Sequence, residues 1–170
     1  VPVLGVVPYY KGIYIEEEDS VMLESKNREA IAGKINIAVI LLRHLSNFTD
    51  FNVLERDERV HLYYTNNVNE IAKADIVLLP GSKNTLDDLY ELRCNGVVQA
   101  ILKAHREGAT IMGICGGYQM LGEELSDPFG VEDGGTMRGM GLLPMHTVFT
   151  EEKTRTRVNG QFLQVKGDLA

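Results

Sequence analysis

An almost continuous apolar run, Ile35–Leu42 (INIAVILL), constrains the fold of this chain more than any other feature. A strand that is wet on one face alternates polar and apolar residues, whereas an unbroken apolar run is typical of a parallel strand buried on both faces. Ile76–Leu79 (IVLL) repeats the pattern and stops abruptly at Pro80–Ser82. These runs predict a parallel sheet that carries helices on its faces.

The remaining pattern predicts further strands and helices around those two runs. The other predicted strands before Pro128 are Val3–Val7, Val60–Thr65 and Thr110–Ile114. The predicted helices are a stretch ending near Ala30, a short turn at Glu70–Ala74, and Thr85–Arg93, Val97–Glu107 and Gly116–Leu125. After Pro128, Leu142–Thr150 and Thr154–Val165 are expected to be antiparallel strands. The predicted fold class is α/β: a mostly parallel, doubly wound sheet with antiparallel β additions at the C-terminal end.

Composition narrows the function classes. The chain has 170 residues, of which 44% are hydrophobic, enough for one α/β core. Its net charge of −7 comes without a basic stripe, so we predict no nucleic-acid partner. Its 2 cysteines form no CxxC pair, so neither a disulfide framework nor a metal site is predicted. No apolar stretch approaches the ~20 residues of a membrane span, and no signal peptide is visible, so the expected location is cytoplasmic.

Cys115 is the predicted catalytic nucleophile. The segment Gly113–Gly117 (GICGG) has the shape of a nucleophile elbow, in which a reactive residue sits on a sharp turn between a strand and a helix. Gly113 and Gly117 leave room for this turn. The N-terminus of the helix that follows favours the thiolate, which is the reactive form. Cys94 lies near a helix end and is interpreted as incidental.

An oxyanion hole is expected beside Cys115. The backbone N–H of Gly116, the residue after the nucleophile, is one candidate donor. The second should come from the loop after a neighbouring strand, because parallel strands end at the same edge of a sheet. Pro80–Ser82 is that loop, so the N–H of Gly81 or Ser82 is expected to reach the same oxygen.

These residues resemble the class I glutamine amidotransferase domains. The matching pattern is Gly113-x-Cys115-x-Gly117-x-Gln119, with LLPGS (Leu78–Ser82) upstream. LPGSKNTLDDL (Leu79–Leu89) is similar to the branch of cobyric and cobyrinic acid amide synthases. Four further segments resemble the cobyric acid synthase family in particular: the opening VLGVVPY, EEDSV (Glu17–Val21), LSNFTDF (Leu45–Phe51) and RGMGLLPMHTVF (Arg138–Phe149).

The resemblance implies a role for each matching residue. Cys115 would attack the glutamine amide, with Gly81 and Gly116 forming the oxyanion hole. Gln119, Ser82 and Arg138 would bind substrate. The enzyme would supply ammonia from glutamine for ATP-dependent amidation of the b, d, e and g carboxylates of adenosylcobyrinic acid a,c-diamide, in cobalamin biosynthesis.

The resemblance also implies a domain arrangement. Residues 1–33 would be the end of a synthetase domain with a linker, and 34–170 a glutamine amidotransferase domain truncated at its C-terminus. The chain contains no P-loop, so no cofactor is expected on this piece. MgATP and the corrinoid would bind the synthetase domain of the same longer protein, and glutamine would bind here.

The general base is the missing element of this interpretation. None of His44, His61, His105 and His146 lies in a motif that matches the family's catalytic histidine, which would follow Ala170. His61 and His105 are interpreted as structural, His44 as a residue that could face a domain contact, and His146 as one that could approach the site. The piece alone is therefore expected to hydrolyse glutamine poorly.

Three alternatives stay open. A cysteine hydrolase or peptidase shares the elbow, but there a histidine would directly follow the nucleophile, where this chain has Gly116. A non-catalytic interaction module could keep the elbow only to hold a partner domain. A related amidotransferase could act on another acid, such as cobyrinic acid a,c-diamide or a cell-wall precursor.

Overall fold

The structure, a computed structural model, describes residues 27–46, 48–152, 155–157 and 159. The predicted strand Val3–Val7 lies outside these residues, as do most of the helix predicted to end near Ala30 and most of Thr154–Val165. The strands are β1 (Ile35–Ile40), β2 (Leu45–Ser46), β3 (Val60–Thr65), β4 (Ile76–Leu79), β5 (Gly81–Ser82), β6 (Thr110–Gly113), β7 (Glu124–Asp127), β8 (Gly135–Arg138) and β9 (His146–Val148). The helices are α1 (Asn52–Glu55), α2 (Val68–Ile71), α3 (Thr85–Cys94), α4 (Val97–Arg106) and α5 (Gly116–Met120).

Four parallel strands form the central sheet, in the order β3-β1-β4-β6. The apolar runs that predicted β1 and β4 place these two strands in the middle, where both faces are covered. One face packs Ala38, Ile40 and Leu79 against the apolar sides of α3 and α4, and the other packs Val39 and Leu78 against Phe51. The predicted α/β class with a mostly parallel sheet is confirmed.

The last strand of this sheet differs from its prediction. The sequence predicts a strand at Thr110–Ile114 like the buried β1 and β4. Strand β6 instead pairs only with β4 among the described strands, and Met112 on it is 51% exposed. The exposure of β6 does not change its pairing, in which Leu79 of β4 stands directly opposite Gly113 of β6. The ends of these two strands therefore lie side by side.

Helix α5 is shorter than the predicted Gly116–Leu125. It ends at Met120, and residues 124–127 form β7 instead. The carbonyls that would continue the helix have partners outside it, because Met120, Leu121 and Gly122 accept hydrogen bonds from the N–H groups of residues 140, 142 and 141 at 2.8–2.9 Å. A tertiary contact thus ends a helix that the local sequence would have continued.

A second sheet, in the order β8-β7-β9, has the predicted form only in part, and its central strand β7 precedes Pro128. Strand β8 pairs antiparallel with β7, as the expected β additions require. Within the predicted strand Leu142–Thr150, β9 covers only His146–Val148 and runs parallel to β7. Most of Thr154–Val165, its expected antiparallel partner, lies outside the described residues. The connection from β8 crosses over the end of α5 rather than turning back in a hairpin, which the local pattern does not reveal.

Helix α4 corrects a further prediction. Its buried face consists of Val97, Val98, Ile101 and Ala104. His105 falls on this side of the helix, one turn after Ile101, as expected, but it is exposed because it lies in the last turn of α4. Among the described residues, no helix has the length and apolar character needed to cross a membrane.

Glycine 117 is required where α5 crosses β4. A Cβ atom built on Gly117 would stand 2.2 Å from the carbonyl oxygen of Leu79 and 2.6 Å from that of Pro80. Backbone atoms of a buried strand cannot move aside as a side chain can. We therefore expect Gly117→Ala to lower the free energy of unfolding by about 1–3 kcal/mol, measured by chemical denaturation.

Gly81→Ala is the matched control for this substitution. Its Cβ would meet the hydroxyl oxygen of Ser46 at 2.6 Å, and that side chain can rotate away. A loss of stability in Gly81→Ala equal to that in Gly117→Ala would contradict the argument.

Candidate active site

Cys115 occupies a strained turn between β6 and α5. Its backbone has φ 51° and ψ −115°, and no other non-glycine residue in the described part of the chain has a positive φ. The turn is fixed on both sides, since the Ile114 N–H donates to Leu79 O at 3.0 Å and the Gly117 N–H donates to Ile114 O at 2.9 Å. The thiol is exposed and forms no disulfide. This is the geometry that the glycine spacing predicted for a nucleophile elbow.

Two glycines allow the elbow to pack closely. A Cβ on Gly113 would lie 2.6 Å from the backbone of Gly117 and Tyr118, so a side chain there would push strand and helix apart. Gly116, the proposed oxyanion donor, is buried between the elbow and α3, where its Cβ would stand 3.0 Å from the hydroxyl of Thr85. Small residues are thus needed on both sides of Cys115 for a physical reason.

The loop after β4 lies against the elbow, as expected. A Cβ on Gly81 would be 3.7 Å from the Cβ of Cys115, and a Cβ on Gly116 would be 3.1 Å from the backbone nitrogen of Ser82. The structure therefore brings Cys115, Gly81, Ser82 and Gly116 to one place. Strand β5, which holds Gly81 and Ser82, pairs antiparallel with β2 to form a short ribbon, an element absent from the sequence prediction.

The side chain of Ser82 is engaged within the protein. Its hydroxyl donates to the carboxylate of Asp88 at 2.5 Å and accepts from the backbone N–H of Asn84 at 3.0 Å. Asp88, in the first turn of α3, is 1% exposed and also contacts the ring of His44. Asp88 is absent from the residues predicted from sequence, although it lies inside the LPGSKNTLDDL segment that carries the resemblance.

Glu132 caps the N-terminus of α3 from a distant loop. Its carboxylate accepts from the N–H groups of Thr85 and Leu86 at 2.7 and 3.1 Å, and from the Thr85 hydroxyl at 3.1 Å. The same hydroxyl lies next to Gly116. A carboxylate at a helix N-terminus satisfies free N–H groups and opposes the positive end of the helix dipole. Glu132 is another neighbour of the elbow that local patterns did not reveal.

Asp127 shapes the loop that presents Glu132. Its buried carboxylate accepts from the N–H groups of Val131, Glu132 and Gly134 at 2.8–2.9 Å. Burial is the largest influence on this carboxyl and raises its pKa, but the backbone N–H groups of the loop together outweigh it, so the pKa of Asp127 lies below its usual range. One side chain thus organises the whole turn between β7 and β8.

The other candidate substrate-binding residues are placed differently. Gln119 lies half-buried in α5, one turn after Cys115, whose carbonyl accepts the Gln119 N–H at 3.1 Å. Arg138 lies at the end of β8 and lines a cavity of about 570 Å³ together with Arg93 and Glu123. Cys115, Gly81 and Ser82 do not line that cavity. The structure therefore does not bring Arg138 together with the elbow residues through a shared cavity.

The three histidines other than His105 have different surroundings. His61 is buried and its Nε2 lies 2.9 Å from Glu29 O, which fits the structural role expected of it. His146 is 60% exposed and pairs with Glu123 at 3.1 Å. His44 is 32% exposed and lies 3.1 Å from Asp88. Within the described residues, no three acidic, histidine or cysteine side chains are grouped so that they could hold a metal ion.

Comparison with known families decides between the candidate enzyme classes. Residues 36–168 match the model of the CobB/CobQ-like glutamine amidotransferase domain. The chain belongs to this family. Cobyric acid synthase of Phocaeicola vulgatus is 67% identical over 167 residues, which are 96% of this chain and 33% of that protein. Cobyric acid synthases of Bacteroides fragilis and Parabacteroides distasonis are 67% and 55% identical, each over 96% of this chain and 33% of their own length.

These relatives bear out the resemblance given by the elbow and its flanking segments. The chain spans about a third of the length of the curated relatives it matches, 33% in each of these three. The family match establishes the chain as a glutamine amidotransferase domain, of which the elbow and the loop after β4 are parts.

The lowered pKa of Asp127 gives a test of the β7–β8 loop. A carboxyl whose pKa is lower in the folded state stabilises the fold above its ordinary pKa, and this stabilisation is lost as the pH falls through the lowered value. We expect Asp127→Asn to reduce the free energy of unfolding at pH 7 and to flatten its decline as the pH falls below about 4, the ordinary pKa of an aspartate. Denaturation curves at several pH values measure both.

Asp133→Asn is the control in the same loop. Asp133 is exposed, and its carboxylate accepts from the side-chain amide of Asn84. Its replacement should leave the pH profile close to that of the wild type. Equal profiles for Asp127→Asn and the wild type would refute the role assigned to Asp127.

Proposed function

We propose that this chain is the glutaminase part of a cobyric acid synthase. It would release ammonia from glutamine for ATP-dependent amidation of the b, d, e and g carboxylates of adenosylcobyrinic acid a,c-diamide. The observation that carries the proposal is the exposed Cys115 on its strained elbow, facing Gly81, in a chain 67% identical to a cobyric acid synthase. Residues 34–170 would form the glutaminase domain, and residues 1–33 its link to the synthetase domain.

The first half of the reaction needs a nucleophile and an anion site. The Cys115 thiolate attacks the side-chain carbonyl carbon of glutamine, and the carbonyl oxygen takes up the negative charge. The N–H of Gly116 and that of Gly81 or Ser82 stabilise this oxyanion in the proposed mechanism. Collapse of the tetrahedral intermediate breaks the C–N bond, and ammonia leaves with a proton supplied by a general acid.

The second half restores the enzyme. Water attacks the glutamyl thioester, the C–S bond breaks, and glutamate leaves while the sulfur returns to the thiolate. Glutamine and water thus give glutamate and ammonia, and the balance requires no cofactor. The resemblance assigns the proton transfers to a histidine after Ala170. Gln119 would bind the glutamine from the first turn of α5, and Arg138 would contact substrate from β8.

The remaining partners belong to the longer protein. MgATP and the corrinoid would bind the synthetase domain, where ATP activates the carboxylate that ammonia then attacks. Support for this part of the proposal comes from the relatives, of which the chain covers only 33%. The same enzyme working on another acid would keep the elbow unchanged, so the identity of the acid has to be tested with the longer protein.

Cys115→Ala in the full-length protein separates glutamine-dependent amidation from ammonia-dependent amidation. We expect glutamine-dependent amidation of adenosylcobyrinic acid a,c-diamide to fall by more than about 10³-fold, because the thioester can no longer form. Amidation with ammonium salts should persist, since ammonia then bypasses Cys115. Both rates follow from chromatography of the corrinoid products.

Cys94→Ala is the matched control. Cys94 is an exposed free thiol and the last residue of α3, whereas it is the first residue of this helix, Thr85, that lies next to Gly116 of the elbow. This variant should keep both activities. Loss of both activities in Cys115→Ala, or retention of both, would overturn the proposed function. Wild-type protein that amidates a different acid would overturn only the choice of substrate.

A further inference from the structure

Asp88 is a buried carboxylate that the proposed chemistry leaves without a role. Its side chain has no exposed surface, and both its oxygens are bound. Oδ1 accepts the backbone N–H of His44 at 3.1 Å and lies 3.1 Å from the Nδ1 atom of its ring, while Oδ2 accepts the Ser82 hydroxyl at 2.5 Å. Burying a carboxylate is costly unless such partners hold it, so its presence at this point needs a reason.

The partners of Asp88 lie on both strands of the β2–β5 ribbon. Ser82 is the second residue of β5, and His44 directly precedes β2. The two strands are also joined there by the Lys83 N–H, which donates to His44 O at 2.9 Å. Asp88 therefore fastens the ribbon to the first turn of α3. A single side chain fixes three segments of the chain relative to one another.

The opposite end of the same ribbon lies against the nucleophile. Gly81 pairs with Ser46, and a Cβ atom on Gly81 would lie 3.7 Å from the Cβ of Cys115. The backbone nitrogen of Ser82 is 3.1 Å from the position of a Cβ on Gly116. Any rotation of β5 would displace the N–H groups of Gly81 and Ser82 relative to the sulfur.

We propose that Asp88 is a positioning residue for glutamine hydrolysis, holding the Gly81–Ser82 strand at the distance that an oxyanion requires. The proposal rests on the proposed function. Asp88 does not touch the reacting atoms, and it acts through Ser82. The Ser82 hydroxyl is committed to Asp88 and Asn84, so its side chain serves to fix the strand, while its backbone faces the site.

Asp88→Asn should disturb this arrangement while keeping the size of the side chain. The amide has only one acceptor oxygen, so its NH₂ group must face either His44 N–H or the Ser82 hydroxyl, both of which now donate. We expect a fall of about 10²-fold in kcat for glutamine hydrolysis, the effect of a displacement on the order of 1 Å. KM for glutamine should change little, because the oxyanion forms only in the transition state.

The experiment uses the full-length enzyme and a neighbouring control. Asp87 precedes Asp88 in α3, its side chain is 38% exposed, and it approaches Arg43 and His44 only at 3.7–3.8 Å. Asp87→Asn should keep the wild-type kcat. Ammonia-dependent amidation should be the same in wild type, Asp87→Asn and Asp88→Asn, because it does not use the elbow.

Two thiol reagents distinguish positioning from general loosening. Iodoacetamide alkylates a thiolate by direct displacement and forms no oxyanion, whereas 6-diazo-5-oxo-L-norleucine must bind as a glutamine analogue with its ketone in the oxyanion site. Asp88→Asn should react with iodoacetamide at Cys115 within about twofold of the wild-type rate and with the analogue at least about tenfold more slowly. Mass spectrometry of the Cys115 peptide measures both rates.

Ser82→Ala provides a second route should Asp88→Asn not fold. It removes the Oδ2 contact and leaves the carboxylate bound by His44, so the same pattern is expected with a smaller loss. Equal kcat in Asp88→Asn and Asp87→Asn, or an equal loss of reactivity toward both reagents, would overturn the positioning role alone. A wild-type enzyme that amidates with ammonia but does not hydrolyse glutamine would overturn the proposed function and this role with it.

Discussion

The backbone conformation of Cys115 is the constraint on which the site depends. A non-glycine residue at φ 51° and ψ −115° costs on the order of 1–3 kcal/mol, so the surroundings must hold it. They do so through contacts that only glycine permits, with Gly117 against the carbonyls of Leu79 and Pro80 and Gly113 against the start of α5. These contacts exist because β4 and β6 are adjacent and parallel, with their ends in register. The order of the central sheet therefore creates the elbow.

The second sheet is connected to the same point by a chain of hydrogen bonds. Asp127 folds the loop between β7 and β8, the loop carries Glu132, and Glu132 caps α3 at Thr85. The hydroxyl of Thr85 packs on Gly116. The β additions at the C-terminal end thus support the N-terminus of α3, and this helix in turn supports both the elbow and, through Asp88, the loop after β4. Residues far apart in the chain therefore stabilise the same region around Cys115.

The sequence predicted the parts of this arrangement that have a local signature. Buried parallel strands leave apolar runs, and the elbow leaves its glycines, so β1, β4 and the place of Cys115 followed from short segments. The predictions failed where a distant contact decides. Helix α5 ends early because residues 140–142 bind its carbonyls, and β9 runs parallel because the chain crosses over. The contacts of Asp88 and Glu132 were not predicted, since His44 lies 44 residues from Asp88 and the start of α3 lies 46–47 residues from Glu132. Ser82, the other partner of Asp88, is only 6 residues away, but no local pattern indicates that its hydroxyl binds a buried carboxylate.

Two carboxylates, Asp88 and Glu132, lie near the proposed oxyanion site, and their presence requires an explanation because a negative charge repels a developing oxyanion. Each carboxylate is bound by hydrogen-bond donors of its own. Glu132 is bound by two N–H groups and a hydroxyl at the positive end of α3, and Asp88 by a hydroxyl, a backbone N–H and a ring nitrogen of His44. Charged acceptors make shorter and stronger hydrogen bonds than neutral ones. These bonds make the loop after β4 more rigid, although the two carboxylates lower the positive potential near Cys115. The arrangement is favourable if the transition state is stabilised by backbone N–H groups, because these must be held in place.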